Sequence, residues 1–340
     1  MRKGIISAGN WVIDKVKILD CLPDRGMLGS ILEETTGTGG APYNVLIDLA
    51  KMKVRFPLFA AGVIGNDENG DHILNDLKKH NIDSSYMQQT YHAPTSYTDV
   101  MTEKTTGDRT FFHCRGANAL LDVSHFEKIE SPARIFHLGY LLLLDKLDMP
   151  DKQYKVVSAR VLNMLQQKGF KTSVDVVSES GDRFKKLVTP ALKYVDYLII
   201  NEIEAGRITE LTIRKKNGID GKNLQKAAEQ LLKAGVKELV VIHFPEGAFA
   251  INNRGESIFV SSFVVDKKEI KGTVGAGDAF AAGMLYAIHE SLPLDEALRF
   301  ANASARFNLL HPTATGGAVS IKEIEEYSSH AKLRKPIVKL

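Results

Sequence analysis

The chain has 340 residues, of which 44% are hydrophobic and 25% charged, a composition typical of a globular protein with a large core. Its 44 basic and 41 acidic residues give a net charge of +3 and form no long basic block, so nucleic acid is not the expected partner. Two cysteines, Cys21 and Cys114, are too few for a disulfide framework and lack the spacing of a zinc site. We expect a cytoplasmic protein without a membrane partner, because the sequence has neither a signal peptide nor an apolar run of about 18 residues.

Short β-rich runs alternate with longer stretches of helical periodicity, which predicts a mostly parallel sheet covered by helices. The predicted core strands are 4–8, 58–63, 134–138, 171–175, 195–200 and 238–242. The predicted helices between them are 43–51, 68–79, 152–168, 181–193 and 222–233. After the last core strand we expect a hairpin over 248–260 and then two helices, at 276–290 and 294–310.

Two segments interrupt this alternation and read as antiparallel strands joined by turns, namely 11–36 and 95–113. Strands inserted at two places in one fold can pair into a single small sheet. We therefore predict one domain over 1–340, with these two segments forming a β-sheet lid over an active site.

The run KGTVGAGDAFAAG, residues 271–283, predicts an anion site built from backbone amides. Its glycines end an extended stretch, and a helix follows, so the amides of Gly275, Ala276 and Gly277 are expected to point outward at a helix start. Asp278 would then face the anion as a general base for a hydroxyl nucleophile. Alternatively, Asp278 only complements the helix dipole, at about 0.3–1 kcal/mol. The pattern fits neither a dinucleotide-binding fingerprint nor a Walker loop.

Several motifs, in the right order, resemble the ribokinase-like, or phosphofructokinase-B type, carbohydrate kinases. The run 272–283 resembles the second signature of that family, and the pair Gly39-Gly40 followed by Asn44 resembles the first. The segments 107–121, 201–204 and 301–318 are similar to its lid strand, its NxxE motif and its closing helix and loop. The similarity covers nearly the whole chain.

The resemblance implies a three-layer α/β/α sandwich with a small β lid, and ATP-dependent phosphorylation of a hydroxyl group on a sugar or sugar-like molecule. It implies that Asp278 is the base and that the amides of Gly275, Ala276 and Gly277 stabilise the transferred phosphoryl group. It also implies a set of residues that bind the hydroxyls of the sugar: Asp14, Gly39, Gly40 and Asn44.

On the nucleotide side, the resemblance implies that Asn201 and Glu204 act on the phosphates and on Mg²⁺, with Glu204 bound to the metal through water. From the residues alone, this pair is more simply a capping box at a helix start. Gly247 and Asn302 match positions beside the nucleotide. The family usually has aspartate where this chain has Gly272, which leaves activation by K⁺ open.

Two alternatives remain at this stage: a nucleoside kinase of the same fold, and a sugar-binding protein with weak catalysis, suggested by Gly272 and by Phe244 in place of a family glycine. The sequence does not identify the sugar. We expect its specificity to depend on lid residues around Tyr97, Arg109 and Arg115. A homodimer is expected, because two lids clasped edge to edge would cover exposed strand edges.

Overall fold

The strands of the protein follow the predicted order, with several additions, in a computed structural model that describes residues 2–179 and 181–337. In chain order they are β1 (Ile5–Gly9), β2 (Val12–Leu19), β3 (Ile31–Gly39), β4 (Leu58–Gly65), β5 (Asp83–Thr90), β6 (Ser96–Glu103), β7 (Arg109–Cys114), β8 (Ile135–Leu141), β9 (Pro150–Asp151), β10 (Lys155–Val156), β11 (Lys171–Val176), β12 (Tyr197–Asn201), β13 (Arg214–Lys215), β14 (Gly218–Ile219), β15 (Leu239–Phe244), β16 (Gly247–Asn252) and β17 (Ser257–Ser261).

The central sheet has the strand order β17-β16-β15-β12-β11-β8-β1-β4-β5. In this sheet the seven neighbouring strands β15, β12, β11, β8, β1, β4 and β5 pair in parallel. Strands β16 and β17 add an antiparallel edge. All six predicted core strands lie in this sheet, and the predicted hairpin forms its antiparallel edge. The carboxyl ends of the parallel strands therefore meet along one edge, where open α/β sheets bind ligands.

Helices cover both faces of the central sheet. They are α1 (Ala41–Lys51), α2 (Glu68–Lys79), α3 (Val123–Glu127), α4 (Val157–Gln167), α5 (Phe184–Ala191), α6 (Glu202–Thr209), α7 (Gly221–Lys233), α8 (Ala276–Glu290), α9 (Leu294–Asn308) and α10 (Ile321–His330). Successive strand residues enter opposite layers: Ile5 packs in the layer of α1, α2 and α8 to α10, and Ile6 packs in that of α3 to α7. This confirms the three-layer sandwich. In the described ranges, no helix is both long and apolar enough to cross a membrane.

The structure corrects several predicted elements. The helix predicted over 152–168 begins only at Val157, because β9 and β10 form a short hairpin before it. The helix predicted over 181–193 is α5 followed by a 3₁₀ turn, Leu192–Tyr194. Edge strand β5 and helix α10 were not predicted, although Ser320 and Glu323 form a capping box that marks the start of α10.

The two inserted segments pair into one four-stranded sheet of order β3-β2-β6-β7, called the lid sheet below. Pairing is antiparallel within each segment, as predicted, but the central pair β2 and β6 is parallel. The reason is that β2 and β6 both follow strands of the parallel sheet, β1 and β5, and so leave its carboxyl edge in the same direction. The lid sheet thereby lies beside that edge; its opening and closing stay a prediction.

Asp48 on α1 is a fully buried carboxyl group whose two oxygens have no hydrogen-bond partner among the described residues. Burial, and then the charge of Asp278, raise the pKa of Asp48 well above its ordinary value of 3.8. The folded state therefore holds this proton more tightly than the unfolded chain does. Its contribution to stability is complete below the unfolded pKa and is lost as the pH rises towards the folded pKa.

Asp48→Asn should remove this pH dependence. The free energy of unfolding of the variant, minus that of the wild type, should grow from pH 4 to pH 7 by up to about 1.4 kcal/mol per pH unit. Denaturant titrations across this range measure the difference. Asp24→Asn, which changes an exposed loop carboxylate, is the control and should show no such trend. A difference independent of pH for Asp48→Asn would mean that Asp48 is ionised in the folded protein.

Candidate active site

A cavity of about 470 Å³ lies at the carboxyl edge of the central sheet, between the lid sheet and the start of α8. Its walls come from both sheets and from α1, α6 and α8, and its polar lining residues include Asp14, Asn44, Thr98, His113, Tyr140, Asp175, Ser178, Asn201, Glu204, His243 and Asp278. A second cavity of about 440 Å³ adjoins it, and both cavities are lined by Asn201, His243 and Gly277. The two chambers therefore meet at the N-terminus of α8.

Asp278 lies in the first turn of α8 at this junction and is 8% exposed. The side-chain amide of Asn44 donates to its Oδ2 over 2.7 Å, and the Tyr140 hydroxyl donates to its Oδ1 over 3.1 Å. Burial, and then the charge of Asp175, raise the pKa of Asp278 to about 6, while the two donors oppose this rise. A carboxylate with this pKa is ionised at neutral pH yet basic enough to accept a proton.

The loop before α8 supplies free backbone donors. Gly275 is the N-cap, with φ 76°, and a Cβ at this position would overlap the carbonyl of Ala314, so only glycine fits. Among the described residues, the amides of Gly275, Gly277 and Asp278 have no protein acceptor, whereas that of Ala276 makes a long 3.4 Å bond to Thr273. Three amides at a helix start thus remain free for an anion. Of the predicted trio, the amide of Ala276 is the one that is partly engaged.

The residues predicted to bind the acceptor converge at one end of the first cavity, with one exception. Asp14, Gly40 and Asn44 line it, but Gly39 does not. A Cβ on Gly39 would overlap the carboxylate of Asp14, so this glycine makes room for Asp14 rather than touching the cavity. Burial, and then the charge of Asp278, raise the pKa of Asp14 to about 7.

Asn201 and Glu204 form a full capping box at the start of α6 and also line the first cavity. Glu204 accepts from the backbone amide of Asn201 over 2.9 Å and from the Ser178 hydroxyl over 2.7 Å. Burial raises its pKa to about 8. The capping role favoured by the sequence is therefore present, and it holds both side chains at the junction of the two chambers.

The donor set near Glu204 suits Mg²⁺. Asp175 lines the same cavity, and its Oδ1 is buried without a hydrogen-bond partner. Mg²⁺ prefers oxygen ligands, keeps several waters, and is usually held by one or two carboxylates together with substrate phosphates. In the described part of the chain, no group of three or more His, Cys, Asp or Glu residues could hold a metal. The residues present therefore fit an ion held largely by water and phosphate.

The second cavity is lined mainly by apolar side chains, including Phe244, Phe263, Val265, Ile270 and Phe280. Asn302 of α9 also lines it, and its side-chain amide donates to the carbonyl of Val260 over 3.2 Å. Gly247 lines neither cavity. It begins β16, where a Cβ would lie 2.7 Å from the Phe259 ring, so this glycine permits the pairing with β17.

Sequence reasoning missed several lining residues: Thr98, His113, Tyr140, Asp175 and His243. Asp175 and His243 lie at or just beyond the ends of predicted core strands, and this position was the available signal. His243 stacks on Phe280 with ring centroids 4.8 Å apart, and burial lowers its pKa to about 4, so its imidazole is neutral. A neutral imidazole between the two chambers can donate one hydrogen bond to a phosphate oxygen.

The residues proposed for sugar specificity lie elsewhere. Tyr97 does not line the cavity and packs instead under the ammonium of Lys15, 4.8 Å away. Arg115 forms an ion pair with Asp145 at 2.8 Å, and Arg109 lines an outer groove beside residues 270–274. The lid residues that line the cavity are Val12, Asp14, Thr98, Phe111 and His113.

Residues 12–320 match the pfkB family of carbohydrate kinases. The chain belongs to this family. It is 25% identical over 304 residues to ribokinase of Schizosaccharomyces pombe, with 88% of each chain covered. It is 26% identical over 330 residues to ribokinase of Bacillus subtilis, covering 96% of this chain and 100% of the relative. Over 316 residues it is 28% identical to fructokinase-2 of Zea mays, covering 88% and 86%.

Solved structures show the same fold. A ribokinase from Thermotoga maritima matches with a TM-score of 0.76 at 22% identity, over 96% of this chain and 99% of that one. A ribokinase from Arabidopsis thaliana, complexed with ribose and ATP, matches with a TM-score of 0.77 at 21% identity, over 97% and 100%. As a pfkB-family carbohydrate kinase, the protein is a phosphotransferase with a hydroxyl acceptor.

Proposed function

We propose that this kinase transfers the γ-phosphoryl group of ATP to a hydroxyl of a sugar or sugar-like molecule, with Asp278 as the base. The observation that carries the proposal is the position of Asp278. Its carboxylate lies where the first cavity meets the free amides of the α8 N-terminus. An alcohol held in the chamber and a phosphate held on the amides would both lie beside this one carboxylate.

In this mechanism, Asp14, Gly40 and Asn44 orient the acceptor, and Gly39 leaves the room that Asp14 needs. Asp278 accepts the proton of the attacking hydroxyl. The amides of Gly275, Gly277 and Asp278 stabilise the charge on the transferred phosphoryl group, and the long bond of Ala276 leaves that amide able to contribute. His243 donates to a phosphate oxygen between the chambers. Closure of the lid sheet excludes water as a competing acceptor.

The nucleotide base occupies the apolar second cavity in this proposal, beside Asn302. Gly247 does not contact the nucleotide and only permits the pairing of β16 with β17. Mg²⁺, held by Asn201, Glu204 and Asp175 through water, would neutralise phosphate charge. A step through K⁺ is not part of the mechanism. The family aspartate corresponds to Gly272 in this chain. A Cβ added at this position would lie 3.0 Å from the carbonyl oxygen of His311.

The direct test is a screen for ADP formation with ATP, Mg²⁺ and a panel of pentoses, hexoses and nucleosides, with and without K⁺. Turnover of a sugar supports the proposal. Turnover of adenosine or inosine alone would favour the nucleoside kinase alternative. A sugar that raises the melting temperature, in a panel where no compound consumes ATP, would favour the sugar-binding alternative.

We also propose a homodimer formed through the lid sheet. Strand β3 is an outer edge of that sheet, and exposed apolar side chains gather on it and on the loop before it: Leu22, Met27, Leu28, Ile31 and Leu32. An exposed apolar strand edge favours pairing with a second copy. Light scattering should give twice the monomer mass, and Ile31→Lys should reduce it to the monomer mass. Tyr91→Lys, at an exposed residue outside the lid sheet, is the control; a monomeric wild type would contradict the proposal.

The expected cytoplasmic location also stays a proposal. Cys21 and Cys114 are both free thiols, which suits a reducing compartment. The cytoplasm would also supply ATP. Cell fractionation followed by immunodetection tests the location.

A further inference from the structure

The acceptor end of the first cavity contains negative charge without a matching cation. We call this end the acceptor chamber; its lining residues are Val12, Asp14, Gly40, Asn44, Thr98, Phe111, His113, Tyr140, Leu143 and Asp278. Neither lysine nor arginine is among the described residues that line it. Asp14 and Asp278 supply two carboxyl groups that interact electrostatically.

The cations nearest in sequence to the chamber residues are engaged elsewhere. Lys15 lies over the ring of Tyr97, Lys17 pairs with Asp99, and Arg115 pairs with Asp145. Lys51 donates to the carbonyl of Thr315 over 2.8 Å. Arg109 lines the outer groove together with Lys271, not the chamber. Burial, and then the charge of Arg115, lower the pKa of His113, so its imidazole is neutral at pH 7.

The hydrogen-bonding groups of the chamber, like its charge, favour a ligand that is neutral and donates hydrogen bonds. The Asn44 amide group and the Tyr140 hydroxyl both donate to Asp278, which uses one of the two N–H donors of Asn44 and the single proton of Tyr140. The Oδ1 of Asn44 is buried without a partner, which leaves an acceptor at the chamber wall.

The pair Thr98 and His113 adds a further acceptor. The Thr98 hydroxyl hydrogen-bonds to Asp14, and the Nδ1 of His113 lies 3.0 Å from the same hydroxyl oxygen. When Asp14 is ionised, the single hydroxyl proton of Thr98 goes to its carboxylate, so Nδ1 of His113 is the donor to Thr98. The neutral ring then carries a lone pair on Nε2, which is buried without a protein partner.

We propose that the acceptor substrate is an uncharged polyhydroxy compound that donates hydroxyl hydrogen bonds to Asp14, His113 and Asn44, and that sugar phosphates and sugar acids are rejected. This inference rests on the proposed kinase function and narrows its substrate class. A carboxylate or phosphate group brings only acceptor atoms and a negative charge. In the chamber such a group would face other acceptor atoms, with which it cannot form hydrogen bonds, and two carboxyl groups, which repel its charge. Both effects weaken its binding.

Matched acceptor pairs test the inference, each joining a neutral sugar to an anion that keeps the hydroxyl being phosphorylated: ribose with ribonate or ribose 5-phosphate, fructose with fructose 1-phosphate or fructose 6-phosphate, and glucose with gluconate or glucose 6-phosphate. For the pair that contains the best neutral acceptor, kcat/KM should be at least about 100-fold lower for the anionic member. Equal or better use of an anionic member would overturn the inference while leaving the kinase function standing.

Two variants identify the source of the selectivity. His113→Lys places a cation and a donor on the chamber wall, so it should narrow the ratio between neutral and anionic acceptors by about tenfold. Arg109→Ala is the matched control in the outer groove and should leave the ratio unchanged. If an anionic acceptor is used and its use is lost in Arg109→Ala, the arginine reaches the chamber and the inference is wrong.

A binding measurement separates this inference from the kinase function. If no acceptor consumes ATP, the kinase proposal fails, and the shift in melting temperature with each member of a pair still reports the charge preference. A shift with neutral members alone supports an uncharged ligand. A shift with anionic members, or with none, overturns the inference.

Discussion

Asp278→Asn should lower kcat by about 10²–10⁴-fold, the usual contribution of a general base. Asparagine has nearly the same size, and Asn44 and Tyr140 remain beside it, so the melting temperature should change little. The amide lacks the basic lone pair that takes the proton from the attacking hydroxyl. Steady-state kinetics with a saturating sugar and ATP, together with thermal unfolding, measure the two effects separately.

The wild-type pH profile gives an independent readout of the same group. Asp278 must be deprotonated to act, and its pKa is raised to about 6. Activity should therefore be present above this pH and fall as the pH decreases through about 6. The control is Asp295→Asn, an exposed acidic residue in the first turn of α9 that complements a helix dipole without facing the cavity. Wild-type turnover in Asp278→Asn would leave Asp278 with only that dipole role.

Gly275→Ala should lower kcat by about 10²–10³-fold, as expected when preorganised donors to a developing charge are displaced. The new Cβ would overlap the carbonyl of Ala314, so the loop before α8 must move and carry its free amides away from the phosphate position. The residue also has φ 76°, which disfavours a side chain. Steady-state kinetics should show the lower kcat, and calorimetry should show weaker binding of ATP.

Gly255→Ala is the matched control for this variant. Gly255 has φ 82° in the hairpin between β16 and β17, but no atom lies within 4 Å of the position that a Cβ would take there. Both substitutions therefore introduce similar backbone strain, and only the one at Gly275 adds a clash beside the anion site. If both variants retain activity to the same degree, the loop position does not matter for catalysis and the proposed anion site is wrong.

Much of the fold was predictable because its signals are local. Short β-rich runs and helical periodicity gave all six core strands and located most helices, since each pattern reflects burial on one or both faces of a single element. The missed strands had weak local signals: β5 is a polar edge strand, and β9 and β10 have two residues each. The lid sheet was predicted from the two segments, but the parallel pairing of β2 with β6 depends on where the core strands end.

The site was only partly predictable. Asp278 and its glycines are one contiguous motif, so the sequence places the proposed base beside the amides. Gly39 illustrates the limit: it was expected to bind the acceptor, yet it makes room for Asp14. The two residues are far apart along the chain, and their contact follows from the register of β2 on β3, which pairs Asp14 with Gly37 and Val12 with Gly39.

The sequence by itself determined the mostly parallel α/β sheet, the glycine loop before α8 and the carboxylate at its edge, because these features follow from residues close together along the chain. The tertiary structure alone decided which distant side chains join them: Tyr140 and Asn44 on Asp278, Asp175 beside Glu204, and Thr98 with His113 on the wall of the acceptor chamber. Strand register pairs Thr98 with His113, whereas the packing of α1 against α8 brings Asn44 to Asp278, 234 residues away along the chain, so none of these contacts follows from local sequence.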